Sequence, residues 1–363
     1  MERPTHGGNL AWAASIAGCP AAEILDFSAS INPLGPPPSA ISALETHIPH
    51  LSAYPDPESR SLRQAIARTH DLSPDWILPG NGAAELLTWA GRDLASLDVT
   101  YLLTPAFSDY ERSLRSFGAK MHSLPLWSED TWQAAFDRPS LPLPLPASAS
   151  THRTGLLLNN PHNPTGLFWQ RAEILPALQQ FELVVVDEAF MDFLPPEKSQ
   201  SLIPDIEQLE NTIVVRSLTK FYSIPGLRLG YAIAHPDRLR RWQQWRDPWS
   251  VNTLAAAVGE AVVADTEFQR QTWHWLAEAR AQLVEGLTQL GLRCWQGSAN
   301  FLLVRSPIPS SQLQRLLLQH YRISIRDCLS FPELGDRYFR IAVRTQPENQ
   351  RLLHALDRLI GNG

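Results

Sequence analysis

The stretch from Ile213 to Tyr231, IVVRSLTKFYSIPGLRLGY, constrains the chain more than any other. Its first residues form an apolar run typical of a strand buried in a sheet, and Lys220 follows shortly after that run ends. A Pro-Gly turn separates Lys220 from Arg228 and from a second short apolar segment. The stretch therefore predicts a strand, a loop that contains a lysine and an arginine, and a second strand.

The chemistry of Lys220 depends on its surroundings. A lysine that is partly desolvated in a pocket has a lowered pKa, and its neutral amine can attack an aldehyde to form a Schiff base. Ser217 and Arg228 are suited to hold a phosphate group near that amine. An amine for an aldehyde and donors for a phosphate are together what pyridoxal 5′-phosphate (PLP) requires. A surface lysine that follows a strand would have the same local sequence, so the stretch alone leaves both interpretations open.

Composition is that of a globular protein and excludes several function classes. The 363 residues suffice for one large domain with a smaller companion, and 44% are hydrophobic. The net charge of −6 gives no basic surface for nucleic acid or an anionic membrane. No apolar run approaches the roughly 20 residues of a membrane span, and no signal-peptide pattern opens the chain. Three scattered cysteines suit a reducing compartment, so we expect a cytoplasmic protein without a metal site.

Two further turns could hold a cofactor. A short strand predicted at Trp76–Pro79 runs into the sequence GNGAAE at residues 80–85, which opens an apolar helix. Backbone N–H groups at such a helix start form a cradle for phosphate, although many strand–helix turns contain glycine. Phe107 follows a predicted strand at Val99–Leu103 and could either stack on a planar cofactor or belong to the core.

Asp187 ends the apolar run Leu183–Val186, which is typical of a strand in the middle of a parallel sheet. A carboxylate at the C-terminal end of such a strand lies where open α/β sheets bind ligands. A buried aspartate needs a partner. The N–H of a pyridinium ring would be one, and a helix start or a salt bridge would be another. A turn dense in side-chain donors, NNPHNPTG at residues 159–166, follows the preceding predicted strand.

Several loops are rich in proline. Residues 1–35 form an arm that contains His6-Gly7-Gly8-Asn9 and either crosses a surface or closes over a site. Tyr54 precedes a proline, so its ring projects from a stiff loop, where it could simply pack. The proline-rich tract at 139–146 predicts an exposed connection.

The C-terminal part of the chain predicts a separate α+β layer. Two long helical patterns precede three short strands, and Arg340 and Arg344 fall on the same face of the last strand because they are four residues apart. We therefore expect two domains. The large one spans residues 36–250, and the small one combines 1–35 with 251–363.

Six motifs, taken in order, resemble fold-type I PLP enzymes of the aspartate aminotransferase superfamily: GNGAAE, PAFSDY, NNPHNPTG, VVVDEAF, RSLTKFYSIPGLRLGY and FRIAVR. The resemblance covers nearly the whole chain. It implies an α/β fold in which a mostly parallel seven-stranded sheet between helices forms the large domain, beside a smaller α+β domain. It also implies a homodimer.

The same resemblance implies a role for each matching residue. Lys220 would bind the aldehyde of PLP and later move protons, and Asp187 would pair with the pyridine nitrogen. Arg340 would bind a substrate carboxylate or another substrate anion. Phe107 would stack on the ring face of the cofactor, and Asn163 would bond to its 3′-oxygen. The cofactor phosphate would be held by Gly82, Ala83, Ala84, Ser217 and Arg228. Tyr54 would reach that phosphate from the neighbouring subunit.

Two branches of the superfamily fit, histidinol-phosphate aminotransferase and the L-threonine-O-3-phosphate decarboxylase of cobalamin biosynthesis. The HGGN arm followed by DFSASINPLGPP, the lysine motif KFYSIPGLRLGY and the segment IRDCLSF…YFRIAVR resemble the decarboxylase. Phe190 also favours it, because the aminotransferase usually has a tyrosine there. His162 and Ala29-Ser30 depart from the pattern without removing a required chemical group. The expected substrate-binding residues are His6, Tyr54, Asn163, Arg326 and Arg340.

We therefore expect decarboxylation of L-threonine O-3-phosphate to (R)-1-aminopropan-2-ol phosphate, with transamination of histidinol phosphate or another small amino acid as the alternative. A ligand sensor on an aminotransferase-like fold is a third possibility. Such sensors have an N-terminal winged helix, which we do not expect here because the motifs start almost at residue 1. Lys220 and Asp187 together also favour catalysis. An NAD domain is not indicated, since no GxGxxG follows the first strand.

Overall fold

The computed structural model describes residues 3–127 and 153–360, and the proline-rich tract at 139–146 lies outside them. The strands of the described residues are β1 (Leu25–Asp26), β2 (Ile77–Asn81), β3 (Val99–Thr104), β4 (Met121–Pro125), β5 (Thr154–Asn159), β6 (Leu183–Asp187), β7 (Thr212–Ser217), β8 (Leu229–Ile233), β9 (Phe301–Arg305), β10 (Ile323–Ser324), β11 (Arg326–Asp327) and β12 (Tyr338–Ala342).

Seven strands form the main sheet, in the order β2-β8-β7-β6-β5-β3-β4. Neighbouring strands are parallel except where β8 pairs with β2 and with β7. The predicted α/β fold with a mostly parallel seven-stranded sheet is therefore confirmed. The helices of the described residues are Leu10–Ala17, Pro38–His47, Arg60–His70, Gly82–Leu94, Ser108–Arg115, Arg171–Leu178, Leu218–Phe221, Pro236–Trp245, Thr253–Val263, Thr266–Gln289, Ser310–Tyr321 and Gln346–Ile360.

The central strand β6 supplies side chains to hydrophobic cores on both faces of the sheet. Val184 and Val186 pack into one apolar cluster, whereas Leu183 and Val185 pack into the other. All four are buried. A strand that is covered on both faces has a continuous apolar sequence rather than an alternating one, which is why this run predicted a central position.

Polar residues converge at one edge of the main sheet. Because β5, β6 and β7 are parallel, their carboxyl ends meet there, and Asn159 aligns with Asp187 at the ends of β5 and β6. Ser217 ends β7 at the same edge and aligns with Gly230. β2 ends there at Asn81, where the antiparallel β8 begins. The fold thus brings the four strand-end sequences together.

The two ends of the chain meet outside the main sheet. β1 pairs in parallel with β10, and β11, β12 and β9 form a three-stranded antiparallel sheet. The division of the chain into domains at residues 36 and 250 stays a prediction. The prediction that Arg344 shares a strand face with Arg340 is wrong, because β12 ends at Ala342. The Arg344 guanidinium instead donates to Glu348 and to the Asp26 carbonyl.

The helix Pro236–Trp245 follows β8. His235 caps its start, and Asp247, which precedes a proline, disfavours its continuation. None of the helices within residues 3–127 and 153–360 is both long and apolar enough to cross a membrane. Over the same residues, no cluster of three or more His, Cys, Asp or Glu side chains is arranged to hold a metal ion.

Candidate active site

A cavity of about 620 Å³ opens at the carboxyl edge of the main sheet. Its walls come from the strand-end loops, the N-terminal arm and the sheet that contains β11 and β12. Gly82 lies beside this lining, against Arg228. The predicted site residues that line the cavity are His6, Ala83, Ala84, Phe107, Asn163, Asp187, Ser217, Lys220, Arg228, Arg326 and Arg340.

The start of the helix Gly82–Leu94 forms an anion cradle. Asn81 provides no side-chain cap for its first N–H groups, which point their partial positive charge out of the helix end. Gly82 has a φ of +74°, and a Cβ there would collide with the guanidinium of Arg228. Glycine is therefore required both for the backbone conformation and for the close approach of Arg228.

Two hydroxyl groups complete this cradle on the side of β7. Ser217 Oγ and Thr219 Oγ1 are 2.8 Å apart, and both residues line the cavity. Thr219 was not among the predicted site residues. A threonine beside the lysine has no distinctive sequence signal, and its position depends on the short helix Leu218–Phe221, which turns its hydroxyl toward Ser217.

Lys220 projects into the cavity from that short helix. Desolvation lowers its pKa to about 8, while the charge of Asp187 opposes this shift and those of Arg228 and Arg340 add to it. Its Nζ lies 3.5 Å from Ser217 Oγ and 5.0 Å from the centroid of the Phe190 ring. A substantial fraction of the amine is therefore neutral near pH 8, as attack on an aldehyde requires.

Asp187 is buried at the end of β6 and its carboxylate has two donors. Oδ1 accepts the N–H of Ala189 at 2.9 Å, and Oδ2 accepts the hydroxyl of Tyr110 at 2.7 Å. Burial raises the pKa of Asp187, and the charge of Lys220 and the hydrogen bond from Tyr110 oppose that shift. Asp187 forms no salt bridge within the described residues, which was one of the alternatives for its partner. Tyr110 is a second residue that the sequence did not single out.

Phe107 and His6 lie together in the cavity wall. Their rings are 5.3 Å apart, and the Phe107 ring meets Tyr110 edge-on at 5.6 Å. The arm that contains His6 is fixed by Gly8, whose N–H donates to Ser28 Oγ at 2.8 Å. Gly7 must lack a side chain, because a Cβ there would overlap the Ser28 carbonyl. The arm therefore closes over the site rather than crossing an unrelated surface.

Arg326 and Arg340 face each other across β11 and β12, where they are directly paired in register. Arg340 donates to Asn163 Oδ1 and to the Ser28 carbonyl. Arg326 donates to the Thr5 carbonyl and to Ser330. Burial and the charge of Arg326 lower the pKa of Arg340 to about 10. Neither guanidinium pairs with a carboxylate among the described residues.

Tyr54 lies outside the cavity of its own chain. Its side chain is 81% exposed and its ring is 4.8 Å from that of Trp249. Ile48 and Leu51 are exposed nearby in the sequence. The structure of one chain therefore does not bring Tyr54 to the site, and its predicted contact with the cofactor of a neighbouring subunit stays a prediction.

Known proteins place these features in a family. The family model of class I and II aminotransferases matches residues 22–356. The chain belongs to that family. It is 39% identical to the threonine-phosphate decarboxylase of Salmonella typhimurium over 98% of this chain and 96% of that protein. It is 33% identical to a histidinol-phosphate aminotransferase of Symbiobacterium thermophilum over 94% of this chain and 92% of that one.

Solved structures confirm the fold type. The histidinol-phosphate aminotransferase of Sinorhizobium meliloti, solved in complex with PLP, superposes with a TM-score of 0.82. At 22% identity the match covers 98% of this chain and 95% of that one. It establishes the fold-type I architecture for this family member, and the family depends on PLP.

The residues in the cavity fit PLP. Lys220 offers an amine of lowered pKa, Asp187 offers a buried carboxylate, and the cradle around Arg228 offers donors for a phosphate. The space between Arg228 and Gly82 is closed to any side chain at position 82. When bound, PLP draws electrons from the α-carbon of an amino acid.

Proposed function

We propose that this protein is a PLP-dependent decarboxylase that converts L-threonine O-3-phosphate to (R)-1-aminopropan-2-ol phosphate and carbon dioxide, in cobalamin biosynthesis. The main support is the pair of buried arginines, Arg326 and Arg340, which are 5% and 9% exposed and have no carboxylate partner among the described residues. Like charges placed directly opposite in an antiparallel pair destabilise the sheet. A substrate with two anionic groups would neutralise both.

The positions of the two arginines suggest which anion each one binds. Arg340 bonds to Asn163 and is close enough to Lys220 to lower its pKa, so it lies on the cofactor side of the cavity. Arg326 lies on the side of the arm, where it contacts the Thr5 carbonyl. A carboxylate on the reacting carbon suits Arg340, and a phosphate farther along the substrate suits Arg326 and His6.

This arrangement also sets which bond breaks. When bound, PLP would accept the electrons of the bond that breaks at the α-carbon, so the residues that orient the substrate would decide which bond that is. Arg326 and His6 would fix the phosphate while Arg340 holds the carboxylate, and contacts at both ends would orient the substrate so that its carbon–carboxylate bond is the one that breaks. Lys220 Nζ can then return a proton to the α-carbon. Phe190, whose ring lies under Nζ, provides no hydroxyl to compete for that proton.

Transamination of histidinol phosphate is the second candidate. The specific observation in its favour is the 33% identity to a histidinol-phosphate aminotransferase across 94% of the chain. The same anion site could accept the phosphate of that substrate. The higher identity to the Salmonella decarboxylase, together with Phe190, leads us to rank decarboxylation first.

We also propose that the protein is a cytoplasmic homodimer. Tyr54, Trp249, Leu51, Ile48 and Ile41 are large and exposed, and a second copy could cover them. In that dimer, Tyr54 would reach the cofactor phosphate of the partner. We propose that each subunit consists of a large domain at residues 36–250 and a small domain formed by 1–35 with 251–363.

The deciding experiment is the incubation of the PLP-loaded protein with L-threonine O-3-phosphate in the absence of any keto acid. We expect catalytic release of carbon dioxide. A Lys220→Ala variant should lose both the visible absorbance of bound PLP and the turnover, whereas Lys120→Ala, which changes an exposed lysine, should keep both. Turnover of histidinol phosphate that requires 2-oxoglutarate, without carbon dioxide release, would instead establish the aminotransferase.

A further inference from the structure

Tyr110 is a buried phenol in the wall of the cavity, and none of the roles above uses it. It lies in the helix Ser108–Arg115 and is 2% exposed. Its hydroxyl donates to Asp187 Oδ2 at 2.7 Å, and the other carboxylate oxygen accepts the N–H of Ala189 at 2.9 Å. A carboxylate oxygen can accept about two hydrogen bonds, so Asp187 keeps capacity for a further donor from the cavity.

The proton in this bond stays on Tyr110. Burial and the neighbouring charge of Asp187 raise the pKa of the phenol well above its usual value of 10. Burial also raises the pKa of Asp187, and the Tyr110 hydrogen bond, together with the charge of Lys220, opposes that rise. The phenol is thus a permanent donor that favours the ionised form of the carboxylate.

We propose that Tyr110 is a positioning residue that keeps Asp187 ionised and aimed at the pyridine nitrogen of PLP. Phe107 and Tyr110 are three residues apart, and their rings meet at 5.6 Å with an interplanar angle of 84°. One helical turn therefore sets both the aromatic ring that faces the cofactor site and the donor that orients Asp187. The inference rests on the cofactor site of the proposed function and is independent of whether the reaction is decarboxylation or transamination.

The consequence of losing this donor follows from the proton that Asp187 and the pyridine nitrogen share. The more basic of the two groups holds it. Without the phenol, Asp187 becomes more basic, so the proton moves toward its carboxylate and the ring nitrogen becomes neutral. Because a carboxylate pairs more strongly with a protonated ring nitrogen than a neutral carboxyl does with a neutral one, the same change weakens the binding of PLP by about 10-fold.

The test compares Tyr110→Phe with Tyr231→Phe. Both remove one buried phenol oxygen, but Tyr231 is bonded to His70 Nε2 at 2.8 Å and does not contact Asp187. Each protein is loaded with PLP that contains ¹⁵N in the ring, and the ¹⁵N chemical shift reports whether that nitrogen is protonated. The dissociation constant of PLP is measured by equilibrium dialysis, and circular dichroism checks the fold.

We expect the ¹⁵N shift of Tyr110→Phe to move toward that of a neutral pyridine and its dissociation constant to rise about 10-fold, while Tyr231→Phe matches the wild type. A folded Tyr110→Phe protein with an unchanged ¹⁵N shift would overturn the proposal. If this variant does not fold, p-aminophenylalanine at position 110 keeps the shape with a weaker donor. It should then give an intermediate shift, and a wild-type shift would likewise overturn the proposal. These readouts do not depend on which substrate is turned over.

Discussion

The assignment of the two arginines leads to a prediction about substrate choice. Replacing Arg326 by methionine keeps the length of the side chain but removes its charge and all five N–H donors. In the structure, Nη2 already donates to the Thr5 carbonyl and to Ser330, and Nη1 donates to the Pro4 carbonyl at 3.4 Å. Two donors therefore remain for a substrate phosphate as long as the arm keeps its position.

The size of the effect follows from these two donors. A hydrogen bond to a charged group contributes about 1.5–3 kcal/mol, so two of them contribute about 3–6 kcal/mol. Since about 1.4 kcal/mol corresponds to a factor of ten, kcat/KM for L-threonine O-3-phosphate should fall by at least about 100-fold. We expect unphosphorylated L-threonine to react more slowly in the wild type, and its rate should change little in Arg326→Met because that substrate presents no phosphate to Arg326.

The assay measures carbon dioxide release from both substrates for Arg326→Met, Arg340→Met and Arg315→Met. Arg340→Met should lower the rates with both substrates, because both have the carboxylate. Arg315→Met removes an exposed arginine of the helix Ser310–Tyr321 and serves as the matched control. Equal losses on both substrates in Arg326→Met, or selective loss of the phosphorylated one in Arg340→Met, would refute the assignment of phosphate to Arg326.

Three other predictions concern the cofactor site. Gly82→Ala should weaken PLP binding by about 10-fold or more, because the added Cβ meets the guanidinium of Arg228. Gly118 has the same φ of +74° but lies in open space, so Gly118→Ala should only lower the free energy of unfolding, by about 1 kcal/mol. Equal PLP affinities of the two variants would contradict this prediction. The rate at which the apoprotein binds PLP should rise with a midpoint near pH 8, as Lys220 loses its proton. A PLP-binding rate that does not change with pH would argue against a lowered pKa of Lys220. Because the pKa of Lys220 is lower in the folded than in the unfolded protein, the free energy of unfolding of the apoprotein should also rise between pH 8 and about 10.5. Mixing inactive Tyr54→Ala and Lys220→Ala proteins should restore part of the activity if subunits exchange, because one site of each mixed dimer would have both residues intact. No recovery of activity in verified mixed dimers would argue against the contribution of Tyr54 across the interface.

The sequence predicts most of the main sheet because its signals are local. The apolar run before Asp187 and the one before Ser217 each indicate a buried strand, and their last polar residues mark the edge where ligands bind. Lys220 and Arg228 were predicted as site residues because they too follow a recognisable strand in the local sequence. Both line the cavity in the structure.

The missed features depend on long-range geometry. Tyr110 meets Asp187 across 77 residues, and nothing in the surrounding sequence distinguishes its phenol from a core side chain. The pairing of Arg326 with Arg340 depends on the register of two short strands, which periodicity cannot give. Arg344 was placed with Arg340 by simple alternation, but the strand ends at Ala342 and the alternation ends with it.

The site combines two parts of the chain with different tasks. The strand ends of the main sheet provide the groups that suit PLP, whereas the arm and the β11–β12 pair provide the groups that suit substrate anions. The two parts are joined where Arg340 bonds to Asn163 and where the Asn32 N–H donates to the Lys220 carbonyl at 3.0 Å. Since the orientation of the substrate selects the bond that breaks, changes confined to the second part could redirect the reaction while the cofactor site stays intact. This division gives a physical reason why a decarboxylase and an aminotransferase can both resemble this chain over almost its full length.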